Sequence, residues 1–166
     1  MTRRHESPTD HAVPRRFAGE TAIVTGSTRG IGAGIAERLA AEGANVVVSG
    51  RTVEAGEAVV DRIADLSPGE SADPAGPTGD AVFVRADMRD PDDVAALAEA
   101  AVEEYGSLDV LVNNAGVQTE TAADEASLDD WAFVVETDFR AYWLAARAAL
   151  EHMDRGAIVN VSSNHA

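Results

Sequence analysis

With 166 residues, 45% of them apolar, the chain can build one domain with a hydrophobic core and is too apolar for a disordered one. It contains no Cys, and its four His (His5, His11, His152, His165) are scattered, which removes disulfides, thiolate metal sites and a cysteine nucleophile and leaves no metal centre to expect. All 13 basic residues are Arg, and 29 acids bring the net charge to −16, a balance that opposes nucleic acid and anionic membranes as partners and fits a surface adapted to high salt.

Residues 1–16 are polar and charged with almost nothing to bury, so they read as a mobile arm ahead of a domain over residues 17–166. No apolar run is long enough to span a bilayer, and Arg3-Arg4 precedes polar residues where a secretory signal needs an apolar segment, so the expected location is the cytoplasm. The first strand is expected over residues 21–25. After a glycine-rich turn comes a helix with Ile31, Ile35 and Leu39 on one face, which Gly43 can terminate. Residues 45–49 read as the second strand. A second helix over about 53–66 carries Val59, Val60, Ile63 and Leu66 and leads into a surface loop over 67–80, rich in Pro, Gly and acids. The third strand is expected over 81–85. Asp90-Pro91 then reads as an N-cap followed by Pro at the first helical position, and Gly106 closes that helix. Residues 110–113 form a fourth strand. Ser127, with Asp130 three residues later, opens a long helix in capping-box fashion that runs to about Met153, and residues 157–162 form a fifth strand. Strands alternating with helical segments predict the α/β class, a parallel sheet under crossover helices in three layers, with no internal repeat and no second domain.

The turn after the first strand reads Thr25-Gly26-Ser27-Thr28-Arg29-Gly30-Ile31-Gly32. Glycines between a strand and a helix let backbone N–H groups approach a pyrophosphate, which the helix N-terminus stabilises through its unpaired donors and dipole. The spacing is neither G-x-G-x-x-G nor a Walker loop, which needs a Lys. It is similar to the T-G-x-x-x-G-I-G of short-chain dehydrogenase/reductases. Asn113-Asn114-Ala115-Gly116 after the fourth strand resembles a second hallmark of that family, and Ala86-Asp87-Met88 after the third strand a further one; the resemblance covers residues 20–166. It implies a Rossmann-type doubly wound sheet of order 3-2-1-4-5, the family's later strands being absent from the chain. It also implies a dinucleotide held by Gly26, Ser27, Thr28, Arg29, Gly30, Ile31 and Gly32, with Asp87, Met88, Asn114, Ala115 and Gly116 on the adenosine side. Read from residue chemistry alone, Asp87 could equally cap or solvate its loop, and Asn113 bridge backbone between strands.

An NAD-binding unit of this kind ends its second strand with a carboxylate for the ribose 2′-OH. Here that stretch is Val48-Ser49-Gly50-Arg51, and the forked donors of Arg51 suit a 2′-phosphate, which Arg29 could also reach; the cofactor expected is therefore NADP rather than NAD. The resemblance further implies hydride transfer to or from a small-molecule alcohol or carbonyl, using a Ser, a Tyr and a Lys with an assisting Asn. Ser163, at the end of Val161-Ser162-Ser163, matches the serine that orients the substrate oxygen, with Ser162 the lesser candidate. Asp138, in Thr137-Asp138-Phe139-Arg140-Ala141, stands where relatives carry the Asn whose main-chain carbonyl holds a water. Asp offers the same carbonyl but adds a negative charge, and a helix residue in a polar pocket is an equal reading of it.

The Tyr and Lys follow the serine by about a dozen residues in the family, beyond Ala166, and neither Tyr105 nor Tyr142 can head a Tyr-x-x-x-Lys motif in a chain without Lys. The expectation is an NADP-dependent oxidoreductase present as an incomplete, inactive fragment; the alternative is a non-catalytic nucleotide-binding module. A methyltransferase on a related sheet would need an acid where Arg51 stands. Trp131, Phe133, Val134, Val135, Phe139, Tyr142, Trp143, Leu144 and Leu150 give the long helix more apolar surface than one sheet face uses, so pairing of subunits through residues 128–153 is expected beside a core role.

Overall fold

A computed structural model describes residues 15–66, 78–122 and 124–162. In chain order the elements are β1 (Thr21–Val24), α1 (Gly30–Ala41), β2 (Asn45–Gly50), α2 (Val53–Asp65), β3 (Ala81–Arg85), α3 (Pro91–Tyr105), β4 (Val110–Asn113), α4 (Leu128–Val135), a π-helical turn (Glu136–Arg140), α5 (Ala141–Leu150) and β5 (Ala157–Asn160). All strand pairs are parallel and the order is β3-β2-β1-β4-β5, the doubly wound arrangement expected.

The sheet is covered on both faces, and its strands show why. Side chains alternate across a strand, so a strand that is apolar at every position must bury both sides. Ala22 and Val24 of β1, Val46 and Val48 of β2, and Val110 and Val112 of β4 pack in one core with Ala33, Ala36, Ala40, Val59 and Ile63 of α1 and α2. Their neighbours Ile23, Val47 and Leu111 enter a second core with Val94, Leu97, Ala98 and Ala101 of α3 and Ala141, Ala145 and Ala149 of α5. Local signals start and stop the helices as expected. Asp90 caps α3 by accepting from the Asp92 N–H at 3.0 Å, and Gly106 ends it at φ +83°. At α4 the Ser127 hydroxyl accepts from the Asp130 N–H at 3.1 Å while the Asp130 carboxylate takes the Ser127 N–H at 2.9 Å.

Four expectations change. The buried face of α1 is Gly32, Ala33, Ala36 and Ala40, not the row of Ile31, Ile35 and Leu39. Small side chains bring the helix axis close to the sheet, which leaves Ile35 and Leu39 half-buried and Ile31 71% exposed. The expected long helix is broken by the π turn at Glu136–Arg140 and ends at Leu150 rather than Met153. Thr137 marks the break by turning its hydroxyl back onto the Phe133 carbonyl at 2.8 Å. The chain is already docked at Arg15 and Arg16, which bond to the Ala41 carbonyl and the Glu42 carboxylate at the end of α1, so the arm expected to reach residue 16 is anchored there. The last strand stops at Asn160, two residues short of its expected end. The rest of the expected arm, most of the 67–80 loop and Ser163 lie outside the described residues. No helix among the described residues is long and apolar enough to cross a membrane.

Candidate functional site

The C-terminal ends of β1 through β4 open onto a cleft of about 370 Å³, at the point where the strand order reverses between β1 and β4. The glycine turn forms its floor. At Gly26, φ is +62°, and a Cβ there would stand 2.8 Å from the Ala115 Cα; a Cβ on Gly32 would stand 2.5 Å from the Gly26 carbonyl and collide with the Asn114 amide. Both positions therefore admit only glycine, the first for its backbone angle and its contact, the second for contact alone.

Side chains lock this turn to the neighbouring strands. The Thr25 hydroxyl accepts from the N–H groups of Asn114 (2.9 Å) and Ala115 (3.0 Å). Asn114 spends its side-chain amide on the carbonyls of Thr25 (2.9 Å) and Gly26 (3.1 Å). Ser27 is fully buried, donating its hydroxyl to the Val24 carbonyl at 2.6 Å and accepting the Ser49 N–H at 2.9 Å. Beyond the turn, Arg29 at the N-cap of α1 gives no side-chain cap, so the first amides of the helix stay available to an anion.

Every residue expected to bind the cofactor lines the cleft except Ser27, whose hydroxyl is committed to β1 and β2: Gly26, Thr28, Arg29, Gly30, Ile31 and Gly32 come from the turn, Arg51 from the end of β2, Asp87 and Met88 from the end of β3, and Asn114, Ala115 and Gly116 from the end of β4. Sequence reasoning did not find Arg89, Val117, Phe133 and Thr137, which line it too. For the last two a signal existed: they lie four residues apart on a helix, a spacing that puts both on one face. The charge balance is unlike that of the molecule. Arg29, Arg51 and Arg89 face a single acid, Asp87, an excess of two positive charges in a chain of −16. Asp87 is held at about 2 by its bond to the Arg89 side chain, which outweighs the opposing effect of burial, with the Arg51 charge adding a little.

Asp138 does not line the cleft. Its carboxylate sits behind Gly116 and accepts the Val117 N–H at 2.8 Å, tying the π turn to the loop after β4. Burial raises its pKa, and the Val117 bond offsets part of the rise. Asn113, also fully buried, donates to the Asn160 side chain at 2.9 Å and so bridges β4 to β5. Tyr142 donates its hydroxyl to the Val161 carbonyl at 3.0 Å.

The family model for short chain dehydrogenases matches residues 20–166. Among curated relatives, trans-4-hydroxycyclohexanecarboxylate dehydrogenase of Sinomonas cyclohexanicum is 38% identical over 91% of this chain and 57% of its own length. Glucose 1-dehydrogenase 2 of Bacillus subtilis is 39% identical over 90% of this chain and 56% of its own. A short chain dehydrogenase from Burkholderia cenocepacia, solved in complex with NADP, superposes with a TM-score of 0.80 at 38% identity, covering 90% of this chain and 57% of that one. The chain thus spans a little over half the length of these relatives. Motifs, strand order and matches agree, and the chain belongs to the short-chain dehydrogenase/reductase family.

Proposed function

We propose that this chain is the NADP-binding part of an oxidoreductase that moves a hydride between the nicotinamide cofactor and a small-molecule alcohol or ketone. One observation carries the reading: a positively charged cleft at the strand ends, with Arg51 where an NAD-binding unit needs a carboxylate. The donor set fits a phosphorylated dinucleotide. The uncapped amides of α1 suit the pyrophosphate, Arg51 and Arg29 suit the 2′-phosphate, and Asp87, Met88, Ala115 and Gly116 line the adenosine side. Bound there, the cofactor gives or takes the hydride. Toward the substrate, the Ser163 hydroxyl orients the reacting oxygen, and the main-chain carbonyl of Asp138 holds a water. Cytoplasm, where NADPH is made and spent, is the compartment this reading assigns.

Titration by cofactor fluorescence tests it. NADPH binds at least about tenfold more tightly than NADH, and Arg51→Asp abolishes or reverses the preference by removing one charge-assisted partner of the phosphate. Equal affinities, unchanged by the substitution, would refute the NADP assignment. The alternative reading is a nucleotide-binding module without catalysis. Stoichiometric binding with an affinity that responds to a protein partner supports that module.

The same reading pairs two copies of the chain. Leu128, Trp131, Phe139, Trp143 and Leu150 follow one another at mostly helical intervals along α4, the π turn and α5, each more than half exposed.

A further inference from the structure

Asp87 is expected to meet the adenine base, yet its carboxylate is already engaged. Arg89 donates Nε to Oδ1 at 3.1 Å and Nη2 to Oδ2 at 2.7 Å, and its own main-chain N–H reaches Oδ1 at 3.0 Å. The guanidinium is held from the opposite wall as well, 5.4 Å above the Phe133 ring of α4. The main chain of Asp87 is pinned by its N–H donating to Asp93 of α3 at 2.8 Å. An ionised carboxylate offers roughly four acceptor positions. Two on Oδ1 and one on Oδ2 are taken, and Arg89, Asp87 and Phe133 all face the cleft.

We propose that Arg89 is a positioning residue for base recognition: its fork and main chain leave the Asp87 carboxylate one acceptor, on Oδ2, for the exocyclic amino group of adenine. The idea rests on the cofactor reading above and adds to it a means of choosing the base. A free carboxylate rotates and accepts from many directions. One clamped by a planar fork at one end and an aromatic ring behind the fork accepts from one direction only. A 6-oxo purine presents an acceptor to that acceptor and is rejected, because a buried polar group that cannot find its partner loses more than one that was never offered it.

The test compares the affinity of the full chain for NADPH, for NADH and for the hypoxanthine analogue of NADPH, each read by cofactor fluorescence. The wild type prefers NADPH over the hypoxanthine analogue by about tenfold, the scale of one hydrogen bond to a charged group. Arg89→Ala and Arg89→Lys cut that base preference to below about threefold, since neither restores the fork. In Arg89→Lys the preference for NADPH over NADH stays within about twofold, because a positive charge remains beside Asp87; Arg89→Ala lowers it, since the Asp87 charge is then left unpaired near Arg51. A base preference that survives both substitutions overturns the proposal. So does a wild type indifferent to the base, whatever the variants do, and so does the collapse of both preferences together in Arg89→Lys, which marks a general loss of structure. Failure of all three dinucleotides to bind the wild type is a different result: it removes the cofactor reading itself.

Discussion

Glu42, the residue that ends α1, has a side chain with no accessible surface and carries a charge all the same. Arg16 bonds both of its oxygens and Arg38 bonds Oε1 at 2.6 Å. The Arg16 bond is the largest influence on the carboxyl and, with Arg38, holds it at about 2 against burial, which acts to raise it from 4.5. A depressed folded-state pKa contributes stability that is complete above the unfolded value and is lost as pH falls through it toward the folded one. Asp87, also held at about 2 by Arg89, adds to the same limb. The melting temperature is therefore expected to hold steady from pH 8 to about 6 and to drop between about pH 5 and 2. Glu42→Gln lowers the midpoint at pH 7 by roughly 3–5 °C and makes the acid drop shallower, which melts across pH will show. An acid limb unchanged by the substitution would remove Glu42 as its source. The anchor was hidden in the sequence because Arg15 and Arg16 follow a run of polar residues and look like more of the same. Only their meeting with the end of α1, 26 residues away, separates them from it.

At the scale of elements, the strands were legible to within two residues because β1, β2 and β4 are apolar on both faces and bounded by turn residues, a pattern few other structures satisfy. The caps of α3 and α4 were legible because their bonds are local. What escaped was tertiary. The π turn carries a contact outside the helix, Asp138 accepting the Val117 N–H, and no periodicity in residues 127–153 announces it. The choice of buried face on α1 escaped for a related reason: counting apolar residues favours Ile over Ala, whereas close approach to a sheet favours Ala and Gly. Arg89 was missed although its bonds to Asp87 are as local as a helix cap; its non-local contact is with the Phe133 ring across the cleft. The exposed row from Leu128 to Leu150 supports the pairing of two copies. Light scattering is expected to find a dimer that Phe139→Glu or Trp143→Glu converts to monomer, with cofactor affinity changed less than about twofold because neither side chain lines the cleft. A monomeric wild type contradicts the pairing.

Across the whole molecule, charge is the dominant feature. A net −16 on a 17.3 kDa chain is self-repelling, and salt both screens that repulsion and strengthens apolar burial. Adaptation to high salt predicts a melting midpoint that rises by roughly 5 °C or more between 0.1 and 2 M KCl. A flat or falling midpoint contradicts it. Catalysis gives the second whole-molecule expectation. With no Lys in the chain to tune a tyrosine, and with Tyr142 pushed upward by burial and by the Asp138 charge, no phenol here is prepared to exchange a proton near neutrality. The 166 residues alone are expected to bind NADPH and to oxidise it against a panel of ketones at no more than the background rate. Turnover well above background would point to Tyr142 as an acid of another kind.

The bonds that tie Thr25, Ser27 and Asn114 to the strands on either side are all made within the protein itself. A loop that is already in shape has little conformational freedom left to surrender when an anion arrives, so encounter and capture need not wait for it to fold. Dinucleotides that share a pyrophosphate should then arrive at similar rates, and the distinction among them should lie in how long each one stays.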